Sequence, residues 1–167
     1  TLTVWDGSDL PATTQPFTVT ITGTNDAPVL SAIAAPVAVV EVADASAQNI
    51  AALSGDLEIN DKDVGDTLTA VIVGSPAVKL DGADFTLPAG AAAALTSGAL
   101  TLAAAATSNG GARTIGWTYD PASADLDFLG EGESLTLTYT IKVDDGTTDS
   151  TQELVITITG KIGRAHV

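Results

Sequence analysis

The chain has 167 residues, 45% of them hydrophobic and 4% aromatic, with 21 acidic against six basic residues and a formal net charge of −15. That apolar content can form a buried core, while the charge excludes a cationic footprint for nucleic acid or anionic membrane surfaces and favours cations instead. Cysteine is absent, which excludes disulfides and thiolate metal sites, and no apolar run approaches membrane-spanning length.

In chain order, Thr3-Val4-Trp5 has an extended pattern and runs into Asp6-Gly7, a turn pair. Residues 17–23, Phe-Thr-Val-Thr-Ile-Thr-Gly, alternate apolar and polar and read as a strand. The same arrangement recurs near the other end. Ile141-Lys142-Val143 precedes the turn Asp145-Gly146, and residues 154–160 read Leu-Val-Ile-Thr-Ile-Thr-Gly. Self-similarity of this kind marks a repeat. Residues 1–23 read as the C-terminal hairpin of a preceding repeat, 24–28 as a linker, and 29–160 as one complete repeat. Residues 161–167, Lys-Ile-Gly-Arg-Ala-His-Val, share nothing with the segment after Gly23. They resemble the translated read-through of a sequencing adapter, as in a truncated metagenomic read, and are expected to be a non-native tail. His166, the single histidine, lies in that tail and carries no catalytic or metal argument.

Within the complete repeat, strands are expected near 37–43, 55–60, 67–74, 84–87 with 99–103, 113–120, 134–144 and 151–160. Alternation is clearest where Leu135, Leu137, Tyr139, Ile141 and Val143 interleave with Thr136, Thr138, Thr140 and Lys142. Ile115, Trp117 and Tyr119 form another inward row, so both large aromatics read as core anchors. The alanine-rich stretch from Pro88 to Ser97, followed by Gly98, predicts a short helical turn. Seven short strands with one inserted helix predict an all-β fold, a Greek-key, immunoglobulin-like β-sandwich.

Strand parity then places the acidic residues. If consecutive strands alternate in direction, Asn25-Asp26, the loop Asn60–Asp66 and the turn Asp144-Asp145-Gly146 share one end of the sandwich. Gly130-Glu131-Gly132-Glu133 falls at the other. Carboxylates crowded together resist ionisation unless a cation joins them. Ca²⁺ takes six to eight oxygens from carboxylates, amides and carbonyls, and this pole offers that set. The loop is not an EF-hand, since its fifth position is Gly65 and its twelfth Ile72.

Here a family likeness enters. Thr24-Asn25-Asp26-Ala27-Pro28-Val29 resembles the repeat boundary of bacterial VCBS and related cadherin-like tandem repeats of RTX-type adhesins. Residues 55–68 and 129–139, followed by Asp144-Asp145-Gly146, resemble the early and late segments of those repeats. The resemblance implies a cadherin-like sandwich binding Ca²⁺. Asn25 and Asp26 match the linker ligands, Asp61 and Asp63 an Asp-x-Asp loop, and Asp145 or Asp144 a later acidic ligand. Glu41 and Glu131 resemble ligands at the opposite pole. The chain departs from the cadherin linker in reading Gly23-Thr24 where a further Asp stands.

By the same resemblance the function is a calcium-stabilised structural spacer of a large secreted or cell-surface bacterial adhesin, serving cell adhesion and biofilm formation. Its partners would be neighbouring repeats of the same chain, and its location extracellular, by a type I secretion system. The alternative is a polysaccharide-binding module of a matrix protein, for which Trp5 is the one aromatic outside the core pattern. An enzyme is not expected: no nucleophile motif occurs and no histidine lies outside the tail. Two carboxylates alone leave only glycoside hydrolysis formally open.

Overall fold

The computed structural model describes residues 2–4, 7, 13–36, 38–42, 50–121 and 124–161. Near the start, β1 (Leu2–Val4) pairs antiparallel with β2 (Thr13–Gln15). The elements that follow are β3 (Val29–Leu30), β4 (Val39–Val40), β5 (Leu53–Asn60), β6 (Val64–Leu80), β7 (Ala83–Asp84), α1 (Ala89–Thr96), β8 (Leu100–Leu102), β9 (Ala106–Asn109), β10 (Ala112–Tyr119), β11 (Ser134–Asp144) and β12 (Asp149–Thr159). They form two main sheets, ordered β3-β5-β10-β8 and β4-β12-β11-β6-β7, with β9 pairing the start of β6. The chain crosses between sheets from β5 to β6, returns from β7 to β8 and crosses again from β10 to β11, which gives the all-β sandwich its Greek-key connectivity.

Period-2 alternation decides which residues fill the space between the sheets. On β11, Leu135, Leu137, Tyr139, Ile141 and Val143 are all buried; they face Leu154, Ile156 and Ile158 of β12 across the ladder. The other sheet contributes Leu57 and Ile59 from β5, with Ile115, Trp117 and Tyr119 from β10. Trp117 stands directly opposite Gly55, and a Cβ at that glycine would come within 2.8 Å of the indole. The ring therefore occupies space that any other residue at position 55 would claim.

Helix α1 forms where expected. Alanine has the highest helix propensity, Pro88 precedes the first turn, and Gly98 at φ +79° ends it in the left-handed region. It buries Ala91 and Leu95 against the sandwich. The hydroxyls of Tyr119 and Tyr139 both donate to the Leu95 carbonyl, at 3.1 and 3.0 Å. That carbonyl lies among the last four of the helix, which have no partner within it. Burial raises both phenols, that of Tyr139 to about 12, so both remain protonated donors.

Several elements differ from expectation. The strand expected to stop near residue 74 continues to Leu80, because Gly74 at φ +69° and Pro76 sit in a bulge opposite Tyr139 and let the ladder resume. Strand β9 was not foreseen. Of 37–43, only Val39–Val40 is strand, and residues 37 and 43–49 lie outside the described residues. Residues 17–23 belong to no sheet, and Phe17, Val19 and Ile21 are 65%, 67% and 90% exposed. Alternation specifies a strand only when a ladder partner is present. The partner of β1 is Thr13–Gln15 instead. Residues 162–167 of the expected tail, with His166, and Trp5 and Asp6 also lie outside the described residues. Among the described residues, no helix is long and apolar enough to cross a membrane.

The two glycines that end the self-similar segments have unequal surroundings. A Cβ at Gly160 would meet the Gly130 carbonyl and come within 2.9 Å of Leu129 Cγ, whereas among the described residues nothing lies within 4 Å at Gly23. Gly160→Ala is expected to cost about 1–3 kcal/mol in urea denaturation, and Gly23→Ala less than about 0.5 kcal/mol. The tyrosine pair gives a second test. Tyr139→Phe should cost about 1 kcal/mol, since Tyr119 still satisfies the shared carbonyl, but the double Phe variant should cost more than the sum of the two.

Candidate metal centre

The loop joining β5 to β6 carries Asp61, Lys62 and Asp63. Asp61 is 1% exposed, one of three buried polar or charged residues among those described. Its Oδ1 accepts the Asp63 N–H at 3.0 Å, an Asx-type turn that closes the loop on itself. Its Oδ2 is buried and has no hydrogen-bond partner among the described residues. Gly65, at φ +102°, then turns the backbone in a way that side-chain-bearing residues rarely adopt. Beyond that turn, Asp66 completes a triad: Asp61, Asp63 and Asp66 each place an oxygen within 4.8 Å of the others.

The segment Asn25-Asp26 docks on this loop. The Asp26 N–H donates to Asp63 Oδ2 at 2.6 Å, and its carboxylate lies 3.7 Å from Lys62 Nζ. Asn25 Nδ2 donates to Asp145 Oδ2 at 2.9 Å and to Thr148 Oγ1 at 3.1 Å. Asp145 stands at the head of the β11–β12 turn. Its Oδ1 accepts the Thr147 and Thr148 N–H groups, each at 2.7 Å, and its Oδ2 accepts the Thr148 hydroxyl at 3.0 Å. The three segments that parity assigned to one end thus do meet there.

Asp144 is set apart. Its carboxylate accepts the Gly146 N–H at 2.7 Å and holds Lys142 Nζ at 3.0 Å, with Asp149 3.5 Å from the same ammonium. At the opposite pole, Glu41 is buried and its Oε2 accepts the Lys161 N–H at 3.1 Å, while Glu133 accepts the Gly130 N–H at 2.7 Å. Glu131 is exposed.

Electrostatics separates the carboxylates. Asp66 is raised above the ordinary range, first by loss of hydration and then by Asp61, Asp63 and Asp145. Asp145 is held well below it, chiefly by the Thr148 N–H and the Asn25 amide. Asp144 is lowered by Lys142, then by the Gly146 N–H. Asp145 is therefore a saturated anchor that holds the linker, whereas Asp66 shares a crowded site. The triad fits a metal ion on two grounds: an orphaned, buried carboxylate oxygen, and a donor set made wholly of hard oxygens.

Sequence reasoning singled out Asp61 and Asp63 but not Asp66, which lies just beyond the loop at the start of β6. The available signal was Gly65, whose turn precedes it. Ser108, which hydrogen-bonds this loop from β9, had no signal at all.

The opposite shifts give opposite pH behaviour with a chelator present. A lowered carboxylate stabilises the fold above its unfolded value of about 3.9, and that contribution is lost as pH falls through the folded value. A raised carboxylate opposes folding once ionised, and that penalty disappears as pH falls through its folded value. At neutral pH, Asp66→Asn is expected to raise the urea midpoint and Asp145→Asn to lower it. With falling pH, the Asp66→Asn advantage should vanish before the Asp145→Asn deficit does.

No protein-family model matches the chain, and no curated protein matches it either. Among solved structures, the CooA pilin subunit from enterotoxigenic Escherichia coli aligns at a TM-score of 0.42 and 12% identity, covering 81% of this chain and 97% of that one.

Proposed function

We propose that this chain is a calcium-stabilised spacer repeat of a secreted or cell-surface bacterial adhesin, in which the ion at the linker pole stiffens the joint to the preceding unit. The observation that carries the reading is Asp61. A buried carboxylate oxygen without a partner is costly, and Asp63 and Asp66 each bring an oxygen within 4.8 Å of an Asp61 carboxylate oxygen, at the point where Asn25-Asp26 docks. Asp61, Asp63 and Asp66 would hold the cation; the Asn25 and Asp26 segment would close over it. Calcium is favoured over zinc by an all-oxygen donor set, and over magnesium by three converging carboxylates where magnesium is usually held by one or two. The likeness of residues 24–29 to the boundary of cadherin-like repeats, and of residues 55–68 to their early segment, supports the same reading and implies neighbouring repeats as partners.

In this role the bound ion supplies no chemistry. It neutralises mutual repulsion and ties the linker to the loop, so an otherwise pliant five-residue connection resists bending. The chain's own part is to hold three oxygens in place and to latch Asn25 onto Asp145.

The test is calorimetric and thermal. At a Kd of about 10⁻⁴ M, typical of extracellular modules, about 10 mM calcium adds about 2.7 kcal/mol. For a domain of this size that is a rise in Tm of about 5–10 °C. Excess EDTA should reverse it, and Asp61→Asn should abolish it while leaving the Tm in EDTA unchanged or higher. A wild-type Tm indifferent to both calcium and EDTA would refute the proposal.

A further inference from the structure

Strand β9 has no place in the order of either main sheet. Among the described residues it pairs only with the first residues of β6, through Val64↔Asn109, Thr67↔Thr107 and Leu68↔Ala106, with a register shift along the way. One of its residues is a buried hydroxyl. Ser108 is 3% exposed and hydrogen-bonds the acidic loop.

The contacts of Ser108 are specific. Its Oγ is 2.5 Å from the Asp63 carbonyl and 3.3 Å from that of Asp61, and it accepts the Gly110 N–H at 3.3 Å. A hydroxyl carries one proton, so it donates to one carbonyl at a time, and the shorter contact is to Asp63. The hairpin tip presses on the same loop, since a Cβ at Gly110 would lie 3.1 Å from Val64 Cγ2 and 3.4 Å from the Lys62 carbonyl.

Three polar contacts thus hold Asp63: its N–H on Asp61 Oδ1, its Oδ2 receiving the Asp26 N–H, and its carbonyl receiving Ser108. The first two use carboxylate oxygens that a cation would recruit. Only the third grips the backbone through an atom outside the triad's carboxylates. It can persist unchanged whether or not the carboxylates turn to a cation.

We propose that Ser108 is a positioning residue for the cation site: it fixes the Asp61–Asp63 backbone from β9, so that the triad is arranged before the ion arrives. This rests on the calcium reading of the triad. Without the hydroxyl, the loop must be ordered at the moment of binding, and that ordering weakens affinity.

The test is isothermal titration of calcium chloride into the wild-type chain, Ser108→Ala and Ser108→Cys, with melting in EDTA measured alongside. Cysteine preserves the shape but is a weak donor, so it separates the hydrogen bond from the packing. Loss of one such bond corresponds to an increase in Kd of about 5–10-fold. That increase is expected in both variants, with stoichiometry unchanged. A wild-type Kd in Ser108→Cys overturns the proposal, and so does a lowered Tm in EDTA with Kd unaltered in both variants, which would mark a purely structural hydroxyl. If the wild-type chain takes up no calcium, the triad reading fails and this inference fails with it; if wild type binds and the variants match it, only the inference fails.

Discussion

Mutual repulsion among carboxylates confined to one end of a β-sandwich is the constraint around which this molecule is organised. Asp61, Asp63 and Asp66 have oxygens within 4.8 Å of one another, and the ammonium nearest the loop, Lys62, is exposed and turned towards Asp26. Exposed charges repel weakly through water, but Asp61 is buried, and burial removes the screening that makes such crowding tolerable. The sandwich can hold the loop in this state because both of its ends are fixed. Asn60 is paired with Ala112 and Val29, and Val64 with Asn109. The core supplies the rigidity, and the pole uses it.

The polar latch beside the triad obeys a different logic. Asp145 is surrounded by donors and stays ionised at any ordinary pH, so its contact with Asn25 does not depend on a cation. Lys142 does the same for Asp144 and Asp149 on the neighbouring strand. Acidic residues at one pole therefore divide into those satisfied by the protein itself and those that are not. The second group, Asp61, Asp63 and Asp66, is the one that could hold a metal ion.

The self-similar segments show how far a pattern carries. Residues 154–160 and 17–23 share their alternation, yet 154–159 lie in β12 against β11 with Leu154, Ile156 and Ile158 buried, while 17–23 lie in no sheet with Phe17, Val19 and Ile21 exposed. A strand is a property of a pair. Gly160 is enclosed by Leu129 and Gly130, and Gly23 by none of the described residues, although sequence treats them as equivalents.

Sequence by itself determined the sandwich, its inward rows on β10, β11 and β12, the helix at Ala89–Thr96, and the meeting of Asn25-Asp26, Asp61-Asp63 and Asp145 at one pole. Period-2 alternation, alanine propensity and strand parity are local or nearly local, so one chain is enough to read them. Only the tertiary structure decided that β6 runs on through a bulge, that Asp66 joins the triad while Asp144 pairs with Lys142, and that Ser108 reaches the loop from 45 residues away. Those outcomes depend on which oxygen lies next to which donor after folding, a relation between distant segments that no periodicity encodes.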